Sequence, residues 1–137
     1  MTPEILARIA TARAARDLSD LARQFVATTA QPTNPTERIR KARELRELVN
    51  QLVDLTVLAE AFGGAPWEDV TAALGRQDPG TVKREFADDI AEWGGKSEEE
   101  LERGAAGHEA IDEWYARHRE DLDPEASTPV DDLLNRH

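Results

Sequence analysis

Apolar residues recur at steps of three and four along most of the chain, which predicts helices rather than strands. One run extends from about residue 4 to residue 30, and a second extends from residue 35 to residue 62. Pro32 and Pro35 separate the two runs, because proline disfavours the helical conformation in the residue before it. Asn34 and Pro35 then supply an N-cap and a first-position proline for the second helix. The pattern predicts an all-α fold with two long helices packed antiparallel.

The second of these helices carries a broad apolar stripe. Its members follow alternating steps of three and four, with three valines widening it on one side: Leu45, Leu48, Leu52, Leu55, Ala59 and Phe62, then Val49, Val53 and Val57. A stripe of this width favours burial in a core on several sides. A coiled-coil seam between two copies of the chain is the second interpretation, because the same spacing suits a dimer.

Residues 66–93 predict a short helix, a turn centred on Gly75 and a longer helix. Pro66 opens the short helix. Asp78 and Pro79 supply the N-cap and the first residue of the longer one. Gly94 and the glycine after it end the unit. Apolar residues lie on one side of each helix: Trp67, Val70 and Leu74, then Val82, Phe86, Ile90 and Trp93.

The segment PWEDVTAALG, followed by VKREF, resembles the WEEVAxALGVSRQAVxKRF pattern of small bacterial, actinobacterial-type trihelical helix-turn-helix domains. The resemblance covers residues 66–93. It implies a small core built by Trp67, Val70, Leu74, Val82 and Phe86, and a second helix that enters the major groove of double-stranded DNA. Carried onto this chain, it implies the following DNA-binding candidates: Arg76, Gln77, Thr81, Lys83 and Arg84. The chain departs from the pattern by placing Arg76 in an apolar slot and by having one more residue before Val82.

The charge of the chain opposes DNA binding and leaves two functions open. The net charge is −11, and residues 94–137 alone hold 13 acidic residues against five basic ones. Such a field repels a polyanion unless a local basic patch offsets it. A basic cluster near the start of the second long helix consists of Arg38, Arg40, Lys41, Arg43 and Arg46. It would offset the negative field if the fold brought it beside Lys83 and Arg84. The first function is DNA binding or transcription regulation, as a homodimer. The alternative is a non-catalytic interaction module whose acidic C-terminal region meets a basic protein partner.

The last part of the chain predicts an acidic helical tail. Ser97 caps a helix expected to run to about Glu120, and Pro129 precedes a short last turn that holds Leu133 and Leu134. The expected division is a helical domain at residues 1–95, containing the helix-turn-helix unit, and an acidic tail at residues 96–137.

No residue pattern points to catalysis, a cofactor or a metal. The chain has no cysteine, and His108 begins a motif in which Asp112 stands where an HExxH zinc site needs its second histidine. No signal peptide and no membrane span is predicted, because charges interrupt every apolar run. A protein of the bacterial cytoplasm that is not an enzyme is therefore expected.

Overall fold

The computed structural model describes residues 1–32 and 34–135, so Thr33 of the predicted inter-helix loop and the last two residues of the tail lie outside the described residues. Within the described residues the chain forms seven α-helices and no β-strand, which confirms the all-α prediction. Their bounds are α1 Pro3–Thr28, α2 Pro35–Phe62, α3 Trp67–Ala73, α4 Pro79–Gly94, α5 Glu98–Ala105, α6 His108–His118 and α7 Asp131–Leu134.

The two long helices form an antiparallel hairpin. At its base, the Arg8 guanidinium of α1 lies 3.3 Å from the Glu60 carboxylate near the end of α2. At its tip, Arg38 of α2 donates a 2.5 Å hydrogen bond to the carbonyl of Gln31. The cap predicted for α2 forms, since the Asn34 side chain accepts a 2.8 Å hydrogen bond from the Thr36 N–H and Pro35 occupies the first position.

α2 is fully buried only near its C-terminal end, at Val57, Leu58 and Ala59, of which Val57 and Ala59 belong to the apolar stripe. Farther towards the tip, Val49 and Val53 remain 43% and 41% exposed. The predicted burial on several sides was therefore wrong for these two valines within one chain, because none of the other described helices covers that side of the hairpin there.

A first hydrophobic cluster joins the start of α1 to the C-terminal helices. Its buried members are Leu6, Ile9, Leu101, Ala105, Ile111 and Val130. Gly104 allows the close approach of α5, because a Cβ added there would lie 2.8 Å from Leu6 Cδ1. Arg13 of α1 reinforces the contact by donating 3.3 Å hydrogen bonds to the carbonyls of Gly104 and Ala106.

The helix predicted from Ser97 to about Glu120 is in fact two helices. α5 ends at Ala105, and Gly107 then adopts a left-handed conformation with φ 82° before α6 begins at His108. Glycine takes this conformation without the steric cost that a Cβ brings, so the break lies where the sequence permits it. The short last helix was predicted and is present as α7.

The division at residue 95 stays a prediction. The contacts that cross it join α1 to α5, α6 and α7. The C-terminal segment therefore helps to bury Leu6 and Ile9 of the first helix.

Candidate nucleic-acid interface

A second hydrophobic cluster holds α3 and α4 against the end of α2. Val57 of α2, Val70 of α3, and Val82 and Phe86 of α4 are its buried members. Four other side chains pack around them: Ala65, Trp67, Leu74 and Ile90. The Trp67 and Phe86 rings lie 6.3 Å apart between centroids. The inner side of α4 is thus occupied by packing, and its outer side faces solvent.

The turn between α3 and α4 is closed by backbone and side-chain hydrogen bonds. Gly75 has φ 73°, a value that favours glycine. The Arg76 N–H then donates a 3.0 Å hydrogen bond back to the Thr71 carbonyl. Asp78 caps α4 by accepting hydrogen bonds from the Gly80 N–H at 3.1 Å and the Thr81 hydroxyl at 2.5 Å. Those hydrogen bonds lower the pKa of Asp78, the Thr81 hydroxyl contributing most.

Arg76, the first of the predicted DNA-binding residues, is engaged inside the unit. Its guanidinium donates two hydrogen bonds, of 2.5 and 2.8 Å, to the carboxylate of Glu85 one helical turn beyond Thr81. The shared hydrogen bonds raise the pKa of Arg76 and lower the pKa of Glu85. Arg76 therefore ties the turn to α4. No local pattern in the sequence predicts this pair, because its partners lie in different elements.

The other four predicted residues lie at the start of α4. Gln77, Lys83 and Arg84 are exposed, and Thr81 is half-buried. Arg84 donates a 3.2 Å hydrogen bond to the Thr81 hydroxyl, which itself donates to Asp78. These two hydrogen bonds, which link Asp78 to Thr81 and Thr81 to Arg84, hold Arg84 against the first turn of the helix.

Acidic residues continue along α4 beyond this first turn. Asp88, Asp89 and Glu92 are all exposed. Asp54 of α2 faces Asp89, and burial together with repulsion from Asp89 raises the pKa of Asp54. The side on which α2 meets α4 is therefore acidic.

The basic cluster of α2 lies away from α4. Its nearest member, Arg46, precedes Val57 of the unit's core by three helical turns, which is about 16 Å along the axis. At the tip of the hairpin, Arg40 is paired with Glu37 at 2.7 Å. Along α2 the cluster is therefore separated from the turn that packs on Val82, and no hydrogen bond or ion pair among the described residues joins it to Lys83 or Arg84.

His108 and Asp112, the two positions of the incomplete zinc motif, make intramolecular contacts. His108 Nε2 lies 3.0 Å from the Asp131 carboxylate, and Asp112 accepts hydrogen bonds from two backbone N–H groups of the segment before α7. Across residues 1–32 and 34–135, no three His, Cys, Asp or Glu side chains are grouped so that they could hold a metal ion.

No protein-family model, no curated protein and no solved structure matches this chain. In the part of the chain that the structure describes, no helix combines the length and the apolar character that a bilayer span requires.

Proposed function

We propose that the protein is a small DNA-binding protein that contacts double-stranded DNA through the first two turns of α4. The observation that supports this function is the core of the unit. The side chains that the helix-turn-helix resemblance names as core, from Trp67 to Phe86, pack in one cluster against Val57. That packing holds α4 by its inner side and leaves Lys83 and Arg84 exposed at its N-terminal end.

The exposed residues have complementary roles in this proposal. Lys83 neutralises a backbone phosphate, and Arg84 reaches the acceptor atoms of guanine in the major groove. Gln77 suits adenine, which offers a donor and an acceptor. Thr81 orients Arg84 through their 3.2 Å hydrogen bond. Arg76 stabilises the turn through its hydrogen bonds to Glu85 and has no role in contacting the DNA in this proposal.

The acidic residues of α4 limit how the helix can meet DNA. The second half of the helix would repel phosphates because it carries exposed Asp88, Asp89 and Glu92. Only the N-terminal half of the helix can therefore approach the groove. A unit that neutralises few phosphates binds weakly and has a shallow dependence on salt concentration. We therefore expect measurable affinity only at low salt, or for a target that engages two copies.

The experiment is selection from a pool of random-sequence duplexes at low salt, followed by a mobility-shift assay on the enriched pool. The wild type should enrich and shift a subset of sequences. K83A/R84A should abolish the shift. R103A/R117A removes the same two positive charges from α5 and α6 and should leave the shift intact. Absence of any enrichment by the wild type, or an equal loss in both double variants, contradicts the proposal.

A second function is supported by the distribution of charge. Outside residues 13–50, the chain holds 23 acidic residues and nine basic ones, which suits a basic protein partner. Deleting residues 97–137 would uncover Leu6 and Ile9, so exposed acids of α5 are better targets. E98Q/E99Q/E102Q should weaken capture of such a partner while K83A/R84A does not. The reverse pattern contradicts this second function.

A further inference from the structure

Apart from the contact of α6 with Asp20, the outer part of the α1–α2 hairpin is two helices thick among the described residues. We call residues 13–28 of α1 and 35–52 of α2 the arm. Of the arm's side chains only Ala14 and Thr28 are buried, whereas Leu21, Phe25 and Leu48 are half-buried. Two helices bury only the stripe between them, and stable helical folds add another layer. The arm lacks that layer on one side.

One side of the hairpin, which we call the arm face, is mostly apolar, with two exposed arginines, Arg23 and Arg46, at its edges. On α1 it consists of Ala15, Ser19, Ala22 and Val26. On α2 it consists of Ala42, Leu45, Val49, Val53 and Thr56. Steps of three and four place each set on one side of its helix. Val26 is 69% exposed, and the two α2 valines are more than 40% exposed.

The two sets lie on the same side of the hairpin. Ala15 of α1 and Thr56 of α2 line a single groove, and from there the helical repeats carry both sets towards the tip. α6 approaches α1 from a different direction, where Trp114 donates a 2.9 Å hydrogen bond to Asp20. At the base of the hairpin the face continues into an apolar groove of about 330 Å³ between α2 and α3. A strip on which apolar residues outnumber charged ones, on a chain whose residues are 33% charged, indicates a surface that is covered in the assembled protein.

Charge indicates which molecule covers this face. The segment from residue 13 to residue 52, which contains the arm, holds eight basic and five acidic residues, so it is positive, while the rest of the chain holds nine basic and 23 acidic residues. A second copy packed parallel would bring the two acidic bodies side by side. A second copy packed antiparallel brings each basic arm tip beside the acidic body of the other.

We infer that two copies of this chain associate through their arm faces, antiparallel, to form a four-helix bundle. Two hairpins packed face to face supply the missing layer of each, and a two-fold axis makes the same patch serve both copies. In the antiparallel arrangement Val49, the middle of the α2 set, lies near its own counterpart. The basic residues Arg40 and Lys41 then lie near the partner's α3, whose exposed Glu68 and Asp69 oppose them. This inference is independent of DNA binding.

Sedimentation of the wild type and two variants tests the association. The wild type should sediment as two chains. V49E/V53E should sediment as one chain and keep its helical circular dichroism, because both side chains are already partly exposed. Q51E/L122E adds the same two charges elsewhere and should remain dimeric. A wild type that is monomeric up to its solubility limit overturns the inference, as does a dimer that V49E/V53E leaves intact.

Disulfide trapping tests the orientation, and the chain has no cysteine of its own to interfere. A disulfide needs Cα atoms within roughly 7 Å of each other. V49C should therefore form a covalent dimer under mild oxidation, and V26C, at the tip, should not. Trapping of V26C overturns the antiparallel arrangement, and failure of V49C in a dimeric sample overturns the arm face as the contact.

Discussion

The carboxylate of Asp112 in α6 accepts a 2.8 Å hydrogen bond from the backbone N–H of Val130. Its other oxygen accepts a 2.9 Å hydrogen bond from the N–H of Asp131. Val130 is buried in the cluster that contains Leu6 and Ile9. One buried side chain thus attaches the segment after α6 to the core of the first helix.

Replacing Asp112 should loosen that segment. D112N keeps one oxygen acceptor and turns an amide NH₂ towards a backbone N–H, so one buried hydrogen bond is lost. We expect a decrease of about 1–3 kcal/mol in the free energy of unfolding, with faster hydrogen exchange at Val130 and Asp131. D121N, at an exposed position, is the control and should change neither. Unchanged exchange at Val130 in D112N would show that packing alone holds the segment.

The ion pair between Arg76 and Glu85 predicts a pH dependence at the turn. The pKa of Glu85 lies below its ordinary value of 4.5 because Arg76 donates two hydrogen bonds to its carboxylate. The pair therefore stabilises the fold above the ordinary pKa, and its contribution is lost as the pH falls through the lowered value. In an NMR titration, R76Q should return the Glu85 pKa towards 4.5, and R84Q should not. A Glu85 pKa unaffected by R76Q would contradict this origin of the shift.

Leucine truncations should distinguish the two ends of α2. Leu58 is 3% exposed, and Leu52 is half-buried beside the apolar groove. L58A should cost about 2–5 kcal/mol as a core truncation, and L52A clearly less when both are measured by urea unfolding of dilute, monomeric protein. Equal losses would mean that the outer part of α2 is as well packed as its C-terminal end.

Two glycine substitutions should have opposite effects. Alanine in place of glycine inside a helix usually gains up to about 1 kcal/mol. G94A should show this gain, because the added Cβ would lie 3.7 Å from the Phe62 ring. G104A should be neutral or destabilising, because its Cβ would lie 2.8 Å from buried Leu6 and the overpacking costs about 1–3 kcal/mol. Thermal unfolding of both variants checks the prediction, and a stabilised G104A would show that α5 moves away easily.

Local signals in the sequence were sufficient for most of the fold. The cap at Asn34, the glycine turn at Gly75 and the start of α4 at Asp78 depend on neighbouring residues, and each was predicted. The docking of the C-terminal helices was not, because its contacts join residues far apart in the chain, as Arg13 does with Gly104. The close approach of Leu6 to Gly104 explains why glycine is useful there, and it likewise joins residues far apart in the chain.

Only part of the candidate site was predicted, again because contacts between distant residues leave no local signal in the sequence. The inner residues of α3 and α4 follow from helical spacing, which the sequence displays directly. The pairing of Arg76 with Glu85 depends on how two elements cross a turn, and the remoteness of the basic α2 residues depends on which end of α2 meets α4. Neither relationship has a local pattern.

The packing of α5, α6 and Val130 on the start of α1 has a consequence for how the chain folds during synthesis. The cluster of Val57, Val70, Val82 and Phe86 can assemble once residue 90 or so has left the ribosome. The surface formed by Leu6 and Ile9, although translated earlier, is not fully covered until Val130 emerges. The first helix must therefore wait with a partly exposed apolar face while about 120 further residues are translated, a period in which aggregation competes with folding.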